Sequence, residues 1–199
     1  MEKLSNEIKH CRKSDYDISP LILNRWSPRA MTGAEIDEQE LMAIFEAGRW
    51  APSSYNNQPW RFIYAKRNTE HWDRLFNLMV EFNQSWTKNA AVLVVIISKE
   101  TFDHNGQPSI THSFDAGAAW ENMALEAARR GYVIHGMQGF DYEKARKVLL
   151  IPEVYNVEAM ATIGKRGKKS DLPAELQERE MPSQRKPLKE IIMEGKFRA

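Results

Sequence analysis

Cysteine is almost missing from this chain. Cys11 stands alone among 199 residues, so no intrachain disulfide framework can form, and a reducing compartment suits the sequence. A long apolar run is missing as well. No stretch approaches the ~20 residues that a membrane-spanning helix needs, and the N-terminus carries no apolar segment of the kind that directs export. The expectation is a cytoplasmic protein with no membrane partner. Charge of one sign is also lacking: 28 Lys+Arg against 27 Asp+Glu leave a formal net charge of +1. No global field therefore exists to recruit nucleic acid or anionic lipid. The basic run Lys165-Arg166-Gly167-Lys168-Lys169 has no interleaved aromatics and reads as a solvated loop rather than a nucleic-acid patch.

Several familiar chemistries lack their residues. The ten glycines never fall into G-x-G-x-x-G or a phosphate loop. The five histidines, at 10, 71, 104, 112 and 135, do not have the i, i+3 or i, i+4 spacing of helical metal pairs, and Cys11 has no partner for a thiolate site, so no metal is expected. No G-x-S-x-G is present, and His135 falls in a predicted strand, as a core histidine more readily than a base.

What is present suffices for one good core. With 42% hydrophobic residues, the chain reads as a single domain over 1–199 or two interlocked lobes, with an N-terminal extension over 1–20 and a C-terminal arm over 168–199. Leu4, Ile8 and Cys11 share one face of a short predicted helix that breaks at Ser19-Pro20. Leu21-Ile22-Leu23 then leads into Arg25-Trp26-Ser27-Pro28-Arg29. Guanidiniums flank a hydroxyl at alternating positions, so in an extended chain Arg25, Ser27 and Arg29 can converge on one anion; the alternative is two solvated surface charges.

Asp37 and Glu40 have capping-box spacing, and Leu41, Ile44, Phe45 and Gly48 recur at helical period, closed by Pro52. That helix delivers the segment Ala51-Pro52-Ser53-Ser54-Tyr55-Asn56-Asn57-Gln58-Pro59-Trp60. Its prolines pre-shape an extended connection, and between them lie hydroxyls, amides and a phenol that can bond a polar ligand without bringing charge. A polar turn ending a helix is the plain alternative.

The pattern then predicts a strand over Arg61 to Lys66, an amphipathic helix from near Thr69 carrying Trp72, Leu75, Phe76 and Met79, and a strand over Ala90 to Ser98 buried on both faces at the centre of the sheet. The longest helix runs from Ser113 to Arg130. Its dense small residues suit the centre of the fold or a dimer seam. A strand over Tyr132 to His135, a helix over Asp141 to Leu150 and a strand over Glu158 to Gly164 follow. Lys168 to Pro187 is polar and proline-punctuated, with apolar residues returning at Leu188, Ile191 and Ile192. Such a tail is disordered or wrapped on a second subunit.

The motifs occur in a telling order. Arg25-x-Ser-x-Arg29, Pro52-Ser-Ser-x-Asn-x-Gln-Pro-Trp60, an Ala-rich helix ending before a strand, and Gly136-Met137-Gln138-Gly139-Phe140 follow one another. Together they resemble the FMN-dependent nitroreductase family from about Leu21 to Leu188. The resemblance implies an α+β fold, a central mostly antiparallel sheet flanked by helices, in a homodimer whose C-terminal segment extends onto the partner and whose two FMN sites lie at the interface. It assigns Arg25 and Ser27, with Trp26 between them in the cofactor-binding segment, to the phosphate and ribityl end, and Arg29 to the N1–O2 edge of the ring. Pro52, Ser53, Ser54 and Asn56 would come from the other subunit. Met137, Gln138 and Gly139 would cover the ring, and Arg185 would close on the phosphate.

The chain departs from some relatives in its tail. Ser183-Gln184-Arg185-Lys186 stands where they carry two basic residues with one between. The implied activity is ping-pong hydride transfer from NADH or NADPH through FMN to a nitroaromatic, quinone or similar planar small-molecule acceptor. No dedicated catalytic side chain is expected, because the flavin carries the chemistry. Dehalogenation, flavin fragmentation, azoline oxidation and a flavin-binding or sensing module with little turnover are the alternatives on this scaffold.

Overall fold

The computed structural model describes residues 3–198. Its four strands are β1 (Trp60–Lys66), β2 (Val92–Lys99), β3 (Tyr132–Met137) and β4 (Tyr155–Lys165), and they form one sheet in the spatial order β1-β2-β4-β3 with every neighbouring pair antiparallel. Around it lie α1 (Asn6–Cys11), α2 (Pro20–Asn24), α3 (Glu38–Arg49), α4 (Trp72–Phe76), α5 (Glu81–Thr87), α6 (His112–Arg129), α7 (Tyr142–Val148) and α8 (Ala174–Gln177). This is the expected α+β arrangement of an antiparallel sheet flanked by helices. Among the described residues no helix is long and apolar enough to cross a membrane.

The unbroken apolar run of β2 has a direct cause. Side chains alternate across a strand. Val92, Val94 and Ile96 pack on one face with Leu41 and Ile44 of α3 and Met123 and Ala127 of α6, while Leu93, Val95 and Ile97 meet Leu75, Trp86 and Phe140 on the other. Both faces of β2 are therefore covered. The strand shares the centre of the sheet with β4, and β1 and β3 form the edges. On β4 the register skips Glu158: Ile96 faces Ala159 and Ile97 faces Val157. The bulge brings the Glu158 carboxylate to the Ser98 hydroxyl, to Ser113 Oγ at 2.8 Å and to His112 Nδ1 at 3.3 Å, which fastens the first turn of α6 to the end of the sheet.

Several local expectations shift. Asp37 caps α3 by accepting Gln39 N–H at 2.8 Å, but no reciprocal capping box forms, because the Glu40 carboxylate reaches Arg130 at 3.2 Å instead. The helix expected from Thr69 is shorter and starts at Trp72; its chain turns before Val80, and α5 follows. Leu21-Ile22-Leu23 is helical, with Pro20 at the first position where a missing N–H costs nothing. The segment after Gly167 is not a free tail throughout. Leu172, Leu176 and Glu180 are buried against the chain's own body, and continuous exposure begins only at Ser183.

The C-terminal end of β4 closes on the start of the chain. Met31 bridges Arg166, Thr32 N–H donates to Lys165 O at 3.0 Å, and Gly167 N–H donates to Ala30 O at 2.8 Å. Only glycine fits at 167, since a Cβ there would stand 2.8 Å from the Met31 backbone. This closure sets the position of the Arg25 to Arg29 segment.

Candidate functional site

Arg25 caps α2 and leaves it in extended conformation. Its Nη1 lies 3.4 Å from Ser27 Oγ, its Nε 3.4 Å from Glu121, and its guanidinium 5.9 Å over the Trp120 ring. Two further guanidiniums join it. Arg12, which the sequence did not single out, donates through Nη1 to Leu23 O and Arg25 O, each at 2.7 Å, and through Nε to Ser183 O at 3.0 Å. Arg185 donates to Ser183 Oγ at 3.1 Å and to the carbonyls of Ser183 and Gln184 at 3.3 Å. All three arginines line one cavity of about 800 Å³ between the N-terminal extension, α2 and the start of the C-terminal arm. Among the described residues neither Arg12 nor Arg185 is paired with a carboxylate, although Glu121 and Asp15 also reach the cavity. Burial first, and then the neighbouring Arg185 and Arg25 cations, hold Arg12 below the usual guanidinium range. An anion in this cavity would relieve that repulsion.

Arg29 goes to different surroundings. Its backbone N–H and that of Ala30 donate to the buried Glu180 carboxylate at 3.0 Å, and its guanidinium lies 5.9 Å over the Trp86 ring. Arg25 and Ser27 thus come together as the spacing suggested, while Arg29 faces a separate aromatic wall. Trp26 is engaged under the Arg166 guanidinium at 4.3 Å, and Arg166 also reaches Glu7 at 3.2 Å. His135 sits beside Trp86 at 4.7 Å between ring centroids, and its Nδ1 is 3.1 Å from Pro28 O. A carbonyl only accepts, so Nδ1 carries the proton. Burial holds the His135 pKa down to about 4, opposed by the Pro28 carbonyl and assisted by the Arg29 cation. The imidazole is neutral at pH 7.

The turn after β3 is pinned from below. Gly139 O accepts Val80 N–H at 3.1 Å and Asn83 Nδ2 at 2.9 Å, and Asn83 Oδ1 in turn accepts Trp86 Nε1 at 3.2 Å. Gln138 is exposed, and the Met137 side chain is buried in the core.

The Pro52 to Gln58 loop is strained. Tyr55, Asn56 and Gln58 have φ of 50°, 53° and 48°, left-handed backbone that non-glycine residues rarely adopt and that concentrates at functional sites. Internal bonds hold it there. Ser53 Oγ accepts Gln58 N–H at 3.0 Å, Asn56 O accepts Gln58 Nε2 at 3.0 Å, and Ser54 N–H donates to buried Asp115 at 3.1 Å. Asn57 joins this loop to the next one, donating to Thr101 O at 3.2 Å and accepting Asp103 N–H at 2.9 Å. Among the described residues no hydrogen bond, ion pair or ring contact links Pro52 through Asn56 to Arg25 through Arg29 or to Met137 through Gly139. The expected site residues form two groups within one chain.

A flavin fits the first group on two counts. The Arg12, Arg25 and Arg185 cluster matches a doubly charged phosphate. Two buried donors, Arg29 Nε and Trp120 Nε1, have no hydrogen-bond partner among the described residues, and such orphans mark positions where a ligand or water completes the bonding.

Comparison with known proteins bears on the same residues. A family model described as the Nitroreductase family matches residues 22–165. A solved structure described as an oxidoreductase containing FMN is 45% identical, superimposes with a TM-score of 0.92, and covers 98% of this chain and 99% of its own. Protein DrgA of Synechocystis sp. is 25% identical over 154 residues, 64% of this chain and 73% of its own length. A Streptomyces coelicolor protein provisionally named NADH dehydrogenase/NAD(P)H nitroreductase is 32% identical over 77 residues, 39% of this chain and 36% of that protein.

Proposed function

The chain belongs to the nitroreductase family, and on that premise we propose that it is an FMN-dependent oxidoreductase that passes a hydride from NADH or NADPH to a nitroaromatic, quinone or similar planar acceptor, as a cytoplasmic homodimer. The observation that carries this reading is the cluster of Arg12, Arg25 and Arg185 around a cavity with a single directly paired carboxylate, Glu121. Bound FMN would supply the hydride-transfer chemistry between a nicotinamide and the acceptor, held at its phosphate by Arg25 and Arg185.

The protein's part is binding, orientation and electrostatics. Arg25 and Arg185 hold the phosphate, with Ser27 Oγ beside Arg25 as a further donor. Arg29 offers the donor left without a partner, Nε, and a positive charge at the ring. His135 stays neutral, so it adds no second charge beside Arg29. Glu180 and Asn83 keep the two supporting backbone turns in place. The strained Pro52 to Asn56 loop serves the flavin of the partner subunit. The lack of any hydrogen bond or ion pair from this loop to Arg25 among the described residues, together with the exposed aromatic and aliphatic side chains of Trp50, Tyr55, Ile110 and Phe114, supports a two-chain site. The NAD(P)H part of the reading draws on the Streptomyces relative's name, and the FMN part on the 45% identical structure.

The test has three readouts. Denaturing the purified protein should release one FMN per chain, identified by mass. Anaerobic mixing with NADH or NADPH should bleach the flavin within seconds, whereas no bleaching over minutes would make this a flavin-binding module. Light scattering should give twice the mass of one chain; a monomer that retains FMN would remove the two-chain site.

A further inference from the structure

Arg12 lies ahead of the family-matched residues 22–165, and its arm-side partner Ser183 lies behind them. We propose that Arg12 is a third guanidinium for the flavin phosphate and, at the same time, the clasp that fastens the C-terminal arm over it. This rests on the FMN reading above. A guanidinium has five N–H donors in a rigid fork. Nε and Nη1 of Arg12 are committed to the carbonyls of Ser183, Leu23 and Arg25. Nη2 makes no hydrogen bond among the described residues, and the residue lines the same cavity as Arg25 and Arg185.

The three committed bonds join chain segments that are far apart in sequence. Leu23 and the cap residue Arg25 lie at the end of α2, and Ser183, 171 residues beyond Arg12, opens the exposed stretch of the arm that carries Arg185. Arg12 therefore fixes the backbone of one expected phosphate ligand and the entry of the segment bearing the other. Without an anion the three cations repel, and the Ser183 bond is the exposed, easily released member of the set. With a phosphate between them the repulsion turns into shared attraction, so the arm closes when the phosphate arrives. Asp15 and Glu121 at the cavity wall moderate the field without cancelling it. The arm beyond, with Leu188 and Ile191 on the cavity wall, follows the clasp.

Comparing FMN with riboflavin, which lacks the phosphate, isolates this role. Flavin-loaded protein is serially diluted and release is followed by flavin fluorescence, with riboflavin loaded by exchange. In parallel, trypsin cleavage after Lys189 reports arm closure in the presence of FMN, riboflavin or inorganic phosphate. For Arg12→Ala the expected result is FMN binding weakened roughly tenfold or more, riboflavin binding within about twofold of the unsubstituted protein, and loss of the FMN-dependent protection of Lys189. Arg12→Lys keeps the charge but not the fork. It should retain part of the FMN preference while losing the protection, and it carries the test if the alanine variant does not fold. Equal weakening of FMN and riboflavin, or unchanged FMN binding, would overturn the proposal by reducing Arg12 to a structural tie. Full protection of Lys189 by inorganic phosphate alone would overturn the flavin-specific part. An unsubstituted protein that binds riboflavin as tightly as FMN, or binds neither, would instead fail the underlying FMN reading.

Discussion

Both carboxylate oxygens of Glu180 lie 3.0 Å from the backbone nitrogen of Arg29, and one of them also accepts the N–H of Ala30. A carboxylate with its side chain out of water is thus spent on two backbone donors and, at 4.0 Å, on the Arg166 guanidinium. Removing it in Glu180→Ala leaves those donors unpaired in a dry site, at a cost on the order of 2 to 4 kcal/mol. Urea unfolding should show a lower midpoint with an unchanged slope, and the variant should lose flavin more readily. A midpoint equal to that of the unsubstituted protein would mean that water replaces the carboxylate.

Arg29 and Arg25 should part company in redox behaviour. A cation at the N1–O2 edge of the ring favours the reduced, more negative form by about 1 to 3 kcal/mol as a charge-assisted contact. Arg29→Ala should therefore lower the flavin midpoint potential by roughly 20 to 65 mV, since 30 mV corresponds to about 1.4 kcal/mol for two electrons. Arg25→Ala should weaken FMN binding in both redox states and leave the potential in place. Dye-equilibrated titration at saturating FMN measures both. An unchanged potential for Arg29→Ala would make Arg29 a second phosphate ligand.

His135 makes stability depend on pH. Its folded pKa of about 4 lies below its ordinary value, which is near 6.5 in an unfolded chain. The unfolded state therefore binds a proton between these values that the folded state refuses. Stability is fully present above pH 6.5 and falls by about 3 kcal/mol as the pH drops to 4. His135→Gln should flatten this part of the profile in unfolding experiments across pH 4 to 7. A slope that survives the substitution would belong to other groups.

Gly139 has no room for a side chain. A Cβ would stand 2.5 Å from Asn83 Nδ2 and 3.2 Å from Val80, so Gly139→Ala must push Asn83 off both Gly139 O and Trp86 Nε1. The expected cost is about 1 to 3 kcal/mol, with a change in Trp fluorescence because the indole of Trp86 loses its acceptor. Unchanged stability and emission would show that Asn83 finds another rotamer with equal bonds.

The regular elements were legible where local chemistry decides them. β2 announced itself by nine consecutive residues, Ala90 to Ser98, without charge, and α3 by Asp37 and the Leu41, Ile44, Gly48 period. Boundaries failed where tertiary contacts decide. β3 runs on to Met137 because β4 continues to pair with it, and β4 begins early, at Tyr155, because of the bulge at Glu158. In the candidate site, Arg25 and Ser27 could be named from their alternating spacing, since guanidinium and hydroxyl chemistry is carried by residue type, whereas Arg185 came only from the family resemblance. Arg12, Glu180, Asn83 and Trp120 could not. Their roles depend on bonds to backbone groups or on an empty donor, and neither leaves a pattern in residue spacing. Glu180 in particular sits in a stretch whose polarity reads as solvent exposure, and only the packing of Leu172 and Leu176 carries it inside.

The closure of residues 165–167 and Glu180 upon residues 29–32 also sets a timetable. A ribosome extends the chain by about 5 to 20 residues each second, and Glu180 follows Arg29 by 151 positions. The Arg25 to Arg29 segment is therefore synthesised about 8 to 30 seconds before the carboxylate that fixes its backbone. Throughout that interval the nascent protein has Arg25 and Arg29 but not the carboxylate that fixes the Arg29 backbone. On the proposed reading, FMN capture waits for the chain to reach Glu180, and a product truncated before Glu180 is expected to lack the carboxylate that holds the Arg29 and Ala30 backbone.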